Sequence, residues 1–241
     1  MINIISPSFV DEIFYVNTMV LNKHNFISKI DIQKGGCARL KLFKGVKFNW
    51  LDHNFKKIYK ENNLHIVNPK IFICKNQKTT FVKYSRKDIF LRRCKLPNIH
   101  IMYPEYYKFV GKKPLGCFIS VDFASTSQIK LKNVLQIAKF SNLIFCSDHD
   151  DWATDDNISK LSKICAVIYH TPNQISIAIN SKNILIQNKH YQEIFTNKKI
   201  VGLGDLLAYK ILYNYDKIFE GKMISKKIIS QIQKEIIGVL K

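Results

Sequence analysis

The stretch Lys199-Ile200-Val201-Gly202-Leu203-Gly204-Asp205-Leu206-Leu207-Ala208-Tyr209 carries the residue types most suited to chemistry. Glycines at 202 and 204 flank a single residue, an Asp follows, and a run that reads as a helix begins there. Glycine lets the main chain turn sharply and lets a ligand approach it. The first N–H groups of a helix have no internal partner, so an anion such as phosphate accepts from them. An ionised Asp205 beside such an anion can take the proton of an attacking hydroxyl. Donors for developing negative charge together with a base are the requirements of phosphoryl transfer to an alcohol. A Gly-rich turn with Asp205 as an ordinary N-cap fits the same four residues.

A second group is acidic: Asp148, Asp150, Asp151, Asp155 and Asp156, gathered in a basic chain. Carboxylate oxygens suit magnesium, which keeps several of its waters and bridges to phosphates. Asp155 and Asp156 also read as N-caps of the helix that follows. His149 lies among these acids but has no second ligand at zinc spacing. The six cysteines are scattered without a Cys-x-x-Cys pair, as buried free thiols of a cytosolic protein are. Neither a Gly-x-Ser-x-Gly elbow nor a Walker P-loop is present, so acyl hydrolysis and P-loop nucleotide hydrolysis lack their markers.

The elements that must hold these residues follow from periodicity. Ile2–Ile5 reads as a buried strand, and Asp11–Val16 and Phe26–Ile32 alternate at period two. Gly35-Gly36 precedes a helical pattern over Cys37–Leu42, and Asn54–Asn62 reads as a polar surface helix. Ile71–Cys74 and Thr79–Tyr84 suggest a strand pair. Buried strands are expected at Ile99–Met102, Cys117–Val121, Leu143–Phe145, Ala166–Tyr169, Ser176–Asn180 and Asn183–Gln187. Helices are expected at Lys130–Phe140, Asn157–Cys165, Leu206–Tyr213 and Ile224–Leu240, the last with an isoleucine stripe that is core packing. From about residue 98 strands and helices alternate, which predicts a mostly parallel sheet covered on both faces. Ligands of such sheets sit at the carboxyl ends of the strands. The earlier alternating strands suit a small separate sheet.

An apolar fraction of 46% places the chain among globular proteins. No apolar run reaches the roughly 18 residues of a membrane span, and the N-terminus lacks the features of a signal peptide. The net charge of +20 invites a nucleic-acid reading. Only Arg39, Arg86, Arg92 and Arg93 are arginine, however, and lysine is spread along the whole length. Base-edge and phosphate-fork recognition favours arginine, so charge predicts salt-sensitive attraction to polyanions without specificity.

The order of these pieces resembles the ribokinase-like (PfkB) carbohydrate kinases over nearly the whole chain. Gly35-Gly36 opening a helix is similar to that family's double-glycine motif, and Gly202-Leu203-Gly204-Asp205 to its C-terminal motif, usually Gly-Ala-Gly-Asp. Lys78–Phe81, His100–Glu105 and Ile119–Asp122 resemble intervening strands and strand ends. The resemblance implies one α/β domain over residues 1–241, a three-layer α/β/α arrangement with a mostly parallel central sheet. It also implies a small β-sheet lid with strands within 12–33 and 71–84. By the same resemblance Asp205 is the catalytic base and Gly202, Leu203 and Gly204 form the anion hole. Asp11, Gly35 and Gly36 bind the acceptor, for which Asp11 as a plain hairpin residue is the competing reading. Thr171 and Asn173 contact the nucleotide, and Asp150 replaces the glutamate that holds magnesium through water. ATP and Mg2+ are the implied cofactors. A small sugar, polyol or nucleoside is the implied partner, with no specific nucleic acid, no membrane, and a monomer or a homodimer through the lid.

The departures are specific. Arg39 or Leu40 stands where the family has an Asn after the double glycine, and Lys199, Ile200 and Val201 replace the usual residues before the anion hole. Thr171-Pro172-Asn173 keeps the Thr of a nucleotide-binding turn and loses its Gly. The span between Leu42 and Leu64 is trimmed. A cytoplasmic phosphotransferase and a weakened descendant that binds its ligand without turnover are the two expectations.

Overall fold

The computed structural model describes residues 1–20, 22–51, 66–67, 69–74, 77–81, 87–90, 98–110, 113, 115–123, 129–171, 173–187, 203–219 and 224–238. In chain order its strands are β1 (Ile2–Ile5), β2 (Ser8–Val16), β3 (Ile27–Gly35), β4 (Phe48–Trp50), β5 (Ile66–Val67), β6 (Lys70–Cys74), β7 (Gln77–Phe81), β8 (Lys87–Phe90), β9 (Asn98–Met102), β10 (Tyr107–Val110), β11 (Phe118–Asp122), β12 (Leu143–Ser147), β13 (Ala166–His170), β14 (Gln174–Ile179) and β15 (Lys182–Gln187). The α-helices are Leu131–Ala138, Asp155–Ser162, Leu203–Tyr213, Tyr215–Ile218 and Lys226–Gly238.

Eight strands form the central sheet in the order β15-β14-β13-β12-β11-β9-β1-β4. Pairing is parallel from β4 through to β13, and β14 and β15 close the edge as an antiparallel pair. Asn180 and Ser181, both with positive φ, make the tight turn between β14 and β15. The central strands are apolar on both sides because both faces are covered. Alternation then assigns neighbouring residues to different layers. Ile5, Ile144, Cys146 and Val167 pack with Val134, Ile137, Ile158 and Leu161 of two helices. Ile4, Leu143, Phe145 and Ile168 pack on the other face with Leu206, Leu207, Ile211, Ile229 and Ile232. This is a three-layer α/β/α arrangement with a mostly parallel sheet.

A separate sheet runs β3-β2-β6-β7, with β5 also paired to β2. Strand β2 passes directly from β1 into this sheet, and Phe9 joins the two. Its ring meets Tyr103 edge-on at 4.6 Å and Tyr106 at 5.7 Å. Strands β8 and β10 form a further parallel pair that periodicity did not suggest.

Several expectations need correction. Gly36–Leu42 is a 3-10 helix rather than an α-helix. Its lead residues Gly36–Leu40 are all buried, so tertiary contacts set its tighter winding. Thr154, not Asp155 or Asp156, caps the Asp155–Ser162 helix, its hydroxyl accepting from Asn157 N at 3.4 Å. The helix containing Asp205 starts at Leu203, three residues earlier than the apolar run suggested. The expected Asn54–Asn62 helix, Tyr84, Pro172 and Gly202 lie outside the described residues. No described helix is long and apolar enough to cross a membrane.

Candidate active site

The carboxyl ends of β9, β11, β12 and β13 converge where the Leu203–Tyr213 helix begins. In a parallel sheet that edge is where loops and helix N-termini meet. Each strand ends in a residue of chemical interest. Strand β9 leads into Tyr103 and Glu105, β11 ends on Asp122, β12 leads to Asp150, and β13 ends on His170.

Asp205 lies in the first turn of its helix, where a carboxylate is favoured by the unpaired N–H groups. Buried Asp122 is close enough to feel it. Burial pushes the Asp122 carboxyl well above the usual range, and the charges of Asp205, then Asp150, then Glu105 push it further. No hydrogen bond reaches the Asp122 side chain among the described residues. Tyr103 joins the same group. Its phenol is raised by burial first, then by Asp205, Asp122 and Cys37, against the lowering effect of Arg39. Tyr103 adopts a left-handed backbone, φ 60° and ψ 57°, that a bulky residue takes only where its surroundings enforce it. Its N–H donates to Asp122 O at 2.8 Å, and its carbonyl accepts from Tyr106 N at 3.1 Å. The sequence marks His100–Glu105 and Ile119–Asp122 as strand ends but assigns Tyr103, Glu105 and Asp122 no role in the site. An acid closing the apolar run Ile119-Ser120-Val121-Asp122 was the available signal.

Asp150 is buried, and its Oδ2 accepts from Ser147 N at 2.8 Å and Ser147 Oγ at 3.3 Å. One oxygen therefore closes the turn after β12. Asp148 and His149 are much more exposed. Among the described residues no three His, Cys, Asp or Glu side chains are arranged to hold a metal by themselves. An ion that keeps its water shell and bridges to a ligand does not need such a cage. The donor chemistry fits: Asp205, Asp150 and Glu105 all bear on the buried Asp122 carboxyl, which accepts no hydrogen bond among the described residues.

Asp11 lies within β2, opposite Gln33 of β3. It is buried, and Nη2 of the buried Arg39 donates to its Oδ2. Arg39 Nε also donates to Lys34 O at 3.3 Å. Gly35 is extended, so its backbone asks for no glycine, but a Cβ there would stand 2.6 Å from Asp11 Cγ and nearer its oxygens. Gly36 is doubly constrained: its φ is +55°, and a Cβ would lie 3.0 Å from Phe9 Cε2 and nearer Cδ2. The two glycines thus let β3 close onto β2 around the Asp11–Arg39 pair.

Thr171 and Asn173 lie in the tight connection from β13 to β14. Thr171 Oγ1 accepts from Asn173 N at 3.1 Å and Gln174 N at 3.2 Å, while Asn173 is exposed. Gly204 rests against His170: a Cβ on it would stand 3.3 Å from the ring's Cε1. Burial holds the His170 ring down to about 4, with Asp148 opposing and His149 adding to the shift.

No family model matches the sequence, and no curated protein does. Solved structures do. A nucleoside kinase of Methanocaldococcus jannaschii, an archaeal member of the ribokinase family, superposes with a TM-score of 0.60 at 16% identity over 97% of this chain and 98% of that one. Ribokinase from Cryptococcus neoformans, solved with ADP, gives 0.66 at 9% identity over 99% and 93%. A Burkholderia thailandensis nucleoside kinase, solved with inosine, gives 0.59 at 11% over 97% and 90%. A parallel sheet covered on both faces, a second small sheet and end-to-end superposition agree: the chain has the ribokinase-like fold, in a divergent form.

Proposed function

We propose that the chain is a phosphotransferase that moves a phosphoryl group from ATP to a hydroxyl of a small sugar, polyol or nucleoside, with Asp205 as the base. The observation that carries this reading is the position of Asp205. It sits in the first turn of a helix aimed at the carboxyl edge of the sheet, among Asp122, Asp150 and Tyr103. Asp205 takes the hydroxyl proton as that oxygen bonds to phosphorus, and the Gly202–Gly204 amides stabilise the charge on the transferring group. Bound magnesium supplies positive charge that neutralises the phosphates. Asp122 and the second oxygen of Asp150 would hold its waters.

The acceptor is oriented by the Asp11–Arg39 pair over Gly35 and Gly36. A carboxylate that accepts and a guanidinium that donates, nearly neutral together, suit the hydroxyls of an uncharged polyol. Asn173, on a turn held by the Thr171 hydroxyl, lines the nucleotide side. Strands β2, β3, β6 and β7 cover the acceptor as a lid within a single domain. Strand β3 is the edge of that sheet and exposes Ile30 and Ile32. Antiparallel pairing of two copies about Ile30 sets Lys29 opposite Asp31 of the partner subunit, so the edge is self-complementary in charge.

The test is ADP release with Mg-ATP across sugars, polyols and nucleosides, with Asp205→Asn alongside. Acceptor-dependent turnover that falls by about 10²- to 10⁴-fold in the variant is expected. Turnover surviving in Asp205→Asn would remove the mechanism. The engagement of Asp11 by Arg39 favours a second reading, a homologue that binds its ligand without turnover. It predicts saturable ligand binding with no ADP from a folded protein.

A further inference from the structure

His170 occupies a place that the phosphotransfer scheme leaves unused. It is the last residue of β13, at the sheet edge that holds the acids, and its ring is partly buried. Among the described residues neither ring nitrogen makes a hydrogen bond. The ring packs on the first turn of the Leu203–Tyr213 helix. A Cβ on Gly204 would lie 3.3 Å from Cε1 and 3.7 Å from Nε2, closer than a side chain there fits without the ring shifting. Gly204 does not adopt a positive φ, so backbone conformation does not require glycine at this position. The missing side chain is what lets the ring approach the helix end. The titratable groups bearing on it are Asp148 and His149, both on the loop after β12. With its proton affinity lowered, the ring is neutral near pH 7 and carries one N–H donor and one acceptor nitrogen. An imidazole with no hydrogen-bond partner among the described residues thus stands beside main-chain donors that lack helical partners.

We propose that His170 is a binding residue for the donor's phosphates, its ring N–H donating to a phosphoryl oxygen held at the Gly204 turn. The inference rests on the phosphotransferase reading above and adds a side chain to an anion site otherwise built from main-chain groups. A ring N–H is directional, and Nε2 is the ring nitrogen nearest the Gly204 turn. His170 is therefore expected to act on donor affinity and to leave acceptor affinity unchanged.

The deciding experiment is a titration of the full-length protein, labelled with ¹³C,¹⁵N-histidine and ¹⁵N-glycine, with Mg-ADP and separately with inorganic phosphate. The His170 ring and Gly204 amide signals are assigned through His170→Gln and Gly204→Ala. Both signals are expected to shift with one shared Kd. The His170 titration should move up from about 4 when ligand binds, because a nearby anion favours the protonated ring. His170→Phe, which keeps a ring and loses the donor, should weaken ADP binding about 10- to 100-fold. His170→Gln, which keeps an N–H, should bind within a few-fold of the parent. A Gly204 amide that responds while the ring does not, or a His170→Phe variant that binds equally well, overturns the proposal and leaves the phosphate site standing. Silence of both signals toward ADP and phosphate overturns the phosphate site and this inference with it. Should His170→Phe fail to fold, the ring titration of the parent protein decides alone.

Discussion

Asp11 and Arg39 lie 28 positions apart and meet because β3 returns antiparallel beside β2 and delivers the glycine pair to the carboxylate. Both side chains are almost fully withdrawn from water, 6% and 11% exposed. Removing one partner of such a pair leaves a buried charge without its counter-ion. Arg39→Ala is therefore expected to cost about 3–5 kcal/mol in urea unfolding. Asp11→Leu combined with Arg39→Met should cost much less than the single change, since no charge remains to desolvate. A single variant as stable as the parent would show that the pair is not buried in solution. None of this coupling was legible in the sequence. Arg39 could be noted as a departure from a resembling pattern, but its partner is set by strand register.

At the scale of elements, the helix behind Asp205 and the strands before Asp122 and Asp150 were readable from apolar runs. The site's connecting pieces were not. A 3-10 turn such as Gly36–Leu42 has no periodicity distinct from an α-helical start, and the left-handed Tyr103 carries no local signal at all. Strand β3 could be read as alternating but not as an edge, because edge position depends on which strands lie beside it. Its exposure yields a prediction at this scale. Sedimentation velocity at micromolar concentration should find a dimer, and Ile30→Lys should give monomers because pairing about residue 30 sets the two new lysines directly opposite each other. A parent protein that sediments as a monomer would discard the self-complementary edge.

For the whole molecule, burial of histidine links the fold to pH. The His100 ring lies inside the central sheet with Nδ1 2.9 Å from Ser120 Oγ, and burial lowers its pKa from 6.5 to about 3. That of His170 falls from 6.5 to about 4. Both rings stay neutral in the folded state while the unfolded chain takes up protons below pH 6.5. Their effect on stability is absent above that pH and grows as pH falls, until each folded ring titrates. One ring costs about 1 kcal/mol between pH 6.5 and 5.5. Asp122 works the other way, since its raised carboxyl favours the folded state as pH falls. Comparing the parent with His100→Asn isolates the first term: urea unfolding should lose about 1 kcal/mol more in the parent over that interval. Equal losses would mean that His100 is solvated or charged in the fold.

The sequence by itself determined the α/β class, the mostly parallel order after residue 98, the small early sheet and the helix that carries Asp205. Those features are written in hydrophobic period, which acts over a few neighbouring residues. Only the tertiary structure decided that Asp122, Asp150, Glu105 and Tyr103 share one edge with Asp205, that Arg39 holds Asp11, and that His170 rests on Gly204. Each of these depends on which strands lie side by side and in what register. Register is settled by packing both faces of a sheet at once, across separations of tens to hundreds of residues.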